Sequence, residues 1–225
     1  RDRRPYGSCG SAHVKLAAAR RFCCKRVVQT PEPILEQKRA LRAQMRAWRA
    51  GLSAAEQAAA GRGLAAHGLD FLKVGSPAET AVSAFAPMAD ELRVWPMLRR
   101  LTEDGFKLCL PVMQGKGRPL VFRAWTQGDD MDSGVWGIAE PKADKPVVEP
   151  DVLLMPLLAF DSQGWRLGYG GGFYDRTLRR LRDMKRIVTV GLAFDAQQVD
   201  AVPHMDYDER LDWVLTPSGP RKLPG

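Results

Sequence analysis

Apolar positions change their period partway along the chain. Between Ile34 and Ala50, Leu35, Leu41, Met45 and Trp48 recur at spacings compatible with one helix face, among strong helix formers, and Gly51 ends the run. Ser53-Ala-Ala-Glu56 has the spacing of a capping box and predicts a second helix to about Gly68. From Thr80 the pattern becomes short apolar runs between turn residues. Ala81–Ala86, Phe106–Val112, Leu120–Trp125, Asp151–Met155, Arg186–Ala193 and Trp213–Thr216 read as strands. Glu91–Asp104, striped by Leu92, Trp95, Leu98 and Leu101 and stopped by Gly105, reads as a helix, as does Tyr174–Lys185. The charged, Pro-rich stretch Pro141–Pro150 reads as a connector. Strands alternating with helices predict an α/β domain whose mostly parallel or mixed sheet is covered on both faces.

Length and charge refine this picture. The 225 residues suffice for one substantial core, so a single domain is expected over residues 34–217, with an extension at 1–33 and a C-terminal tail at 218–225. No run of about 18 apolar residues occurs, so no membrane partner is expected. Of the net charge of +8, residues 1–30 carry +7, from eight basic side chains against Asp2. The body is therefore close to neutral, which argues against a broad nucleic-acid-binding face. The extension reads as an upstream segment without function, or as an organelle-targeting peptide. Cys9, Cys23 and Cys24 fall in it and match no metal-ligand spacing. Cys109 alone falls in the body, which fits a reducing compartment.

Candidate chemistry concentrates in Arg166–Asp175, RLGYGGGFYD. Gly164, Gly168, Gly170, Gly171 and Gly172 place five glycines within nine residues, after a strand and just ahead of a helix. Without Cβ atoms, successive backbone N–H groups can converge on one point and approach a ligand closely. With a helix start behind them they form an anion site, where ligands of open α/β sheets bind. A plain flexible turn needs none of the polar groups that join these glycines. Arg166 can grip a phosphate, and Asp175 at the helix start can hold a divalent ion that neutralises it. Neither common nucleotide fingerprint fits: GxxxxGK[ST] is absent, and Phe173 replaces the last glycine of GxGxxG.

The block MPLLAFDSQGWRLGYGGGFYDRTL, Met155–Leu178, resembles the signature of the 5-formyltetrahydrofolate cyclo-ligase family. KRALR at Lys38–Arg42, DE at Asp90–Glu91 and the tryptophan of VWGIAEP, Trp136, follow that family's order. The resemblance implies a three-layer, Rossmann-like α/β fold and a magnesium-dependent conversion of 5-formyltetrahydrofolate and ATP to 5,10-methenyltetrahydrofolate, ADP and phosphate. It implies ATP contacts at Lys38, Arg39, Ala40, Leu41 and Arg42 and along Arg166, Leu167, Gly168, Tyr169, Gly170, Gly171, Gly172, Phe173 and Tyr174, with Arg166 and Lys38 catalytic. It places Ala86, Glu91, Trp136, Tyr169 and Phe173 at the folate and makes Asp175 a magnesium ligand. By the same resemblance Asp208 aligns with a second metal position, with Asp206, Glu209 and Asp212 as neighbouring alternatives. Tyr169 stands where some members have arginine, and Phe173 where many have tyrosine. A cytoplasmic monomer with small-molecule substrates is expected. Rival readings are another ATP-dependent ligase or phosphotransferase on this scaffold, a nucleic-acid-binding protein acting through the basic extension, and a regulatory folate binder.

Overall fold

The computed structural model describes residues 31–88 and 90–224. Nearly all of the basic extension, with Cys9, Cys23 and Cys24, lies outside the described residues, as does the basis for the nucleic-acid reading. Among the described residues, no helix is long and apolar enough to cross a membrane.

The sheet has seven strands. In chain order these are β1 (Ala81–Ser83), β2 (Lys107–Met113), β3 (Leu120–Ala124), β6 (Val152–Pro156), β9 (Val188–Leu192), β10 (Trp213–Thr216) and β11 (Gly219–Lys222). Two small ribbons, β4 (Met131–Ser133) with β5 (Ala139–Pro141) and β7 (Ala159–Phe160) with β8 (Arg166–Leu167), account for the missing numbers. Across the sheet the order is β11-β10-β9-β6-β1-β2-β3. The five inner strands are parallel; β3 and β11 pair antiparallel at the two edges. This is the mixed sheet expected from the alternating pattern.

Strand β6 shows why both faces must be covered. Alternate residues of a strand point to opposite faces. Val152 and Leu154 join one apolar cluster, Leu153 and Met155 the other, and all four are fully buried. Helices α2 (Ala54–His67) and α3 (Trp95–Glu103) close the first face through Leu64, Leu98 and Leu101. Helix α4 (Phe173–Met184) closes the second through Leu178 and Leu181. A third cluster joins Leu41 and Met45 of α1 (Pro31–Ala50) to Leu158, Ala159 and Leu167. The capping box forms as the sequence predicts: Ser53 Oγ accepts from Glu56 N at 3.2 Å, and Glu56 Oε2 accepts from Ser53 N at 2.8 Å.

Three expectations change. The helix expected from Glu91 begins at Trp95, because Glu91, Leu92 and Val94 are buried below it and Pro96 suits a first turn. The strand expected to reach Ala86 ends at Ser83, and the chain continues as the wall of a cavity. Within the expected tail, the described residues 218–224 join the sheet. Gly219, at φ +126°, turns the chain back so that β11 pairs with β10, and Leu223 is buried. A strand reading Gly-Pro-Arg-Lys looks like a tail because proline and cations suit a sheet edge.

Helix α2 sits close to the chain ahead of α3. A Cβ on Gly61 would lie 2.3 Å from the carbonyl oxygen of Arg93, a backbone atom that cannot swing aside. Gly61→Ala is therefore expected to destabilise the protein by about 1–2 kcal/mol, since overpacking outweighs the gain in helix propensity. Urea unfolding measures it; an unchanged or higher midpoint would show that α2 is free to move outward.

Candidate active site

The C-terminal ends of β1 and β6 open into one cavity of about 730 Å³. Phe85, Ala86 and Met88 follow β1, and Pro156 ends β6. Helix α1 crosses this opening and supplies Lys38, Arg42 and Arg46 to one side. The glycine loop leads from β8 into α4 along the same side, contributing Gly168 through Gly172. The tip between β4 and β5 carries Trp136 over the cavity, edge-on to Phe173 at 6.0 Å. Its backbone is left-handed, at φ +62°, and the side chain is 71% exposed.

The loop presents donors rather than side chains. Among the described residues, the amide N–H groups of Gly170, Gly171 and Gly172 make no hydrogen bond. Gly170 has φ +100° and Gly172 φ +63°, conformations that a side chain would strain. Arg42 shows a second reason for glycine here. Its Nε donates to the Gly168 carbonyl at 2.8 Å, and a Cβ on Gly170 would meet its Cζ at 3.3 Å. Free amides beside a helix start and guanidinium groups suit phosphate oxygens.

Arg166 has a different task from gripping an anion with a free fork. Its side chain is 5% exposed; one terminal nitrogen donates to Asp175 Oδ1 at 2.7 Å and the other to the Glu209 carbonyl. Asp175 Oδ1 also accepts from Glu209 N at 3.1 Å. Arg166 thus fixes a carboxylate at the first turn of α4 and ties the 201–210 segment to it. Lys38 is likewise engaged: buried, it forms an ion pair with Asp208, whose Oδ2 also accepts from Met205 N at 2.7 Å.

That segment holds three acids and Asp212 follows it; their neighbours separate the four. Glu209 is taken by Arg179 and Arg182. Asp212 caps Thr189, accepting from its N and Oγ1 at 2.7 Å each. Asp206 is exposed and absent from the cavity wall. Asp208 alone of the four faces the cavity, as Asp175 does. Among the described residues no group of three or more His, Cys, Asp or Glu side chains could hold a metal. Two carboxylates on one wall fit magnesium that shares its coordination with phosphate oxygens and water, rather than a cage built by protein alone.

The other end of the cavity centres on Glu91, which is 4% exposed and accepts from Met88 N at 2.7 Å. Burial raises its pKa, although Tyr169, the Met88 amide and Arg49 oppose the shift. Burial also raises the Tyr169 hydroxyl well above its usual range, with the nearby Glu91 charge adding to it. A buried carboxylate of this kind suits a ligand offering paired N–H donors.

The structure therefore brings together Lys38, Arg42, Ala86, Glu91, Trp136, Arg166 through Asp175, and Asp208 around one cavity. It does not bring Arg39 and Ala40 there. Both are exposed on α1, because residues one and two positions from Lys38 leave its face. Leu41 packs in the third apolar cluster instead. Sequence reading missed Arg46, one turn beyond Arg42, which the four-residue spacing from Lys38 could have found. It also missed Glu140, buried and accepting from Met113 N at 3.1 Å, in the same VWGIAEP block as Trp136. Met113, Leu120 and Ile138 line the cavity beside it and carry no such signal.

Glu91 has a testable consequence. With its folded pKa raised above the unfolded value, the native state binds more protons than the unfolded chain between those two values. Its contribution to stability is therefore full at lower pH and is lost as pH rises through the folded pKa. Glu91→Gln, which cannot ionise, should melt higher than the parent at pH 7. The difference should shrink as pH falls below that pKa in thermal melts. A variant that melts lower at pH 7 would mean the ionised carboxylate is net stabilising.

The chain is 32% identical over 185 residues to the 5-formyltetrahydrofolate cyclo-ligase of Haemophilus influenzae, covering 80% of this chain and 97% of that protein. It is 38% identical over 142 residues to the Escherichia coli K12 protein of the same name, covering 61% and 78%. Its fold matches the solved 5,10-methenyltetrahydrofolate synthetase of Aquifex aeolicus with a TM-score of 0.65 at 24% identity, covering 84% of this chain and 93% of that one. The Mycoplasma pneumoniae synthetase gives 0.63 at 22% identity, covering 80% and 98%. The family model for 5-formyltetrahydrofolate cyclo-ligase matches residues 34–217, and the chain belongs to that family.

Proposed function

We propose that the protein closes the ring of 5-formyltetrahydrofolate using ATP, yielding 5,10-methenyltetrahydrofolate, ADP and phosphate. The observation that carries this reading is one cavity with unlike ends. A nest of free amides beside Arg42 and Lys38 suits phosphates, and the buried Glu91 carboxylate suits the amino and ring N–H groups of a pterin.

The chemistry needs both ends at once. A formamide oxygen is a poor leaving group, so it first attacks the γ-phosphorus of ATP, and the bond to ADP breaks. The neighbouring folate nitrogen then attacks the formyl carbon and loses its proton. The C–O bond breaks, and phosphate leaves with its electron pair. Phosphoryl transfer of this kind depends mainly on positioning and charge neutralisation. The amides of Gly170–Gly172 and the cations of α1 hold the phosphates. Arg166 keeps Asp175 oriented, and Trp136 and Phe173 cover the pterin. Asp175 and Asp208 would hold magnesium, which neutralises charge on the phosphate oxygens when bound. On phosphate binding, Lys38 would turn from Asp208 toward the new anion. Nothing in this sequence of steps needs a second subunit, and a cytoplasmic monomer fits the free, buried Cys109.

Incubation with Mg-ATP and 5-formyltetrahydrofolate should produce the near-ultraviolet absorbance of the methenyl product together with ADP. Asp175→Ala and Arg166→Ala should each lower turnover about 100-fold or more while the proteins still melt cooperatively. Absence of product at any enzyme concentration would overturn the reading. Near-normal rates in both variants would remove these residues from the mechanism.

A further inference from the structure

One side chain belongs to both ends of the cavity. Tyr169 lies within the glycine loop, yet its hydroxyl reaches Arg49 Nη1 at 2.7 Å and stands against the Glu91 carboxylate. Arg49 does not line the large cavity; it is 2% exposed behind it. Its Nε and Nη2 donate to Asp90 Oδ2 at 3.1 and 2.6 Å. Asp90 immediately precedes Glu91 in the chain. A single buried guanidinium therefore grips the segment that carries Glu91 with one side and the nest with the other. Behind it lies a space of only about 10 Å³ between Arg49, Glu91 and Gln197, room for about one water molecule.

We propose that Arg49 is a positioning residue that couples the two halves of the site, acting through Tyr169, so that phosphates bound at the nest tighten folate binding at Glu91. This deepens the function proposed above and rests on it. Tyr169 is flanked by Gly168 and Gly170, whose backbone has more conformations to lose when an anion binds than any other residue's would. Phosphate oxygens that take up the free amides fix the loop, and the ring with it. The hydroxyl, already accepting from Arg49, then keeps its proton toward Glu91. The carboxylate meets its ligand pre-oriented, and the ordering cost is met once for both ligands. Linkage makes the effect reciprocal: folate tightens nucleotide by the same factor. Arg49 suits the task because a planar fork can serve two partners in fixed directions, which an ammonium cannot. Burial alone would lower its pKa, but Tyr169 and Asp90 outweigh burial, so it remains a firmly held cation.

Calorimetry on the full chain tests the coupling, with Mg2+ and a non-hydrolysable ATP analogue as one ligand and 5-formyltetrahydrofolate as the other. Each is titrated alone and with the other saturating. In the parent protein each ligand should tighten the other about five-fold or more, by matching factors. In Tyr169→Phe, which removes one oxygen, and in Arg49→Lys, that factor should fall to within about two-fold of unity, while each ligand alone still binds. A merely structural role would lower the melting temperature and weaken both ligands alike with the factor unchanged, and that result overturns the proposal. A factor of one in a parent protein that binds both ligands also overturns it and leaves the proposed function standing. Failure of the parent to bind or turn over the folate removes the function itself, and this proposal with it.

Discussion

Helix α1 buries cations beside the apolar residues that an amphipathic helix ordinarily buries, and the site follows from the need to satisfy them. Lys38 and Arg49 lie at 6% and 2% exposure along its inward face, with Arg42 partly buried between them. An uncompensated buried charge costs several kcal/mol, so each must have partners of good geometry. Lys38 finds Asp208, Arg42 the Gly168 carbonyl, and Arg49 Asp90 with the Tyr169 hydroxyl. Those partners come from three separate loops at the C-terminal side of the sheet. Pairing them with one helix draws the loops around a common cavity.

The sheet does little chemistry and much holding. Its central strand is buried on both faces, and its ends set where the loops begin. The loops can then afford conformations that are poor by themselves. Gly170 and Gly172 take positive φ, Trp136 sits left-handed at an exposed tip, and Glu91 remains below the start of α3 as a buried carboxylate. Departures from local preference that cluster at one place mark where a structure is shaped for binding rather than for stability. Burial disfavours the ionised form of Glu91, and Tyr169, the Met88 amide and Arg49 offset that only in part.

Charge pairs within the site also explain how it can stand ready without ligands. Lys38 with Asp208, and Arg166 with Asp175, neutralise each other in pairs of one cation and one acid. Arg42 and Arg46 stand on the same wall with no acid within ion-pair distance among the described residues, so the unbalanced charge there is positive.

What could be read from the sequence was whatever is local along the chain. The capping box at Ser53–Glu56 formed because both its partners lie three residues apart. The left-handed backbone of the glycine loop was legible because glycine density acts on the backbone that carries it, whatever surrounds it. Strand alternation was legible for the same reason, although β11 was hidden by proline and basic residues that mark an edge as well as a tail. Tertiary structure decided everything that depends on a distant partner. Asp206, Asp208, Glu209 and Asp212 look alike in sequence, and only Arg179, Arg182 and Thr189 take two of them away from the cavity. Arg49 looks like one more cation on a charged helix until Asp90 and Tyr169, 41 and 120 residues on, are folded against it. A side chain's type fixes what it can bind, but its neighbours in space determine what remains free to do so.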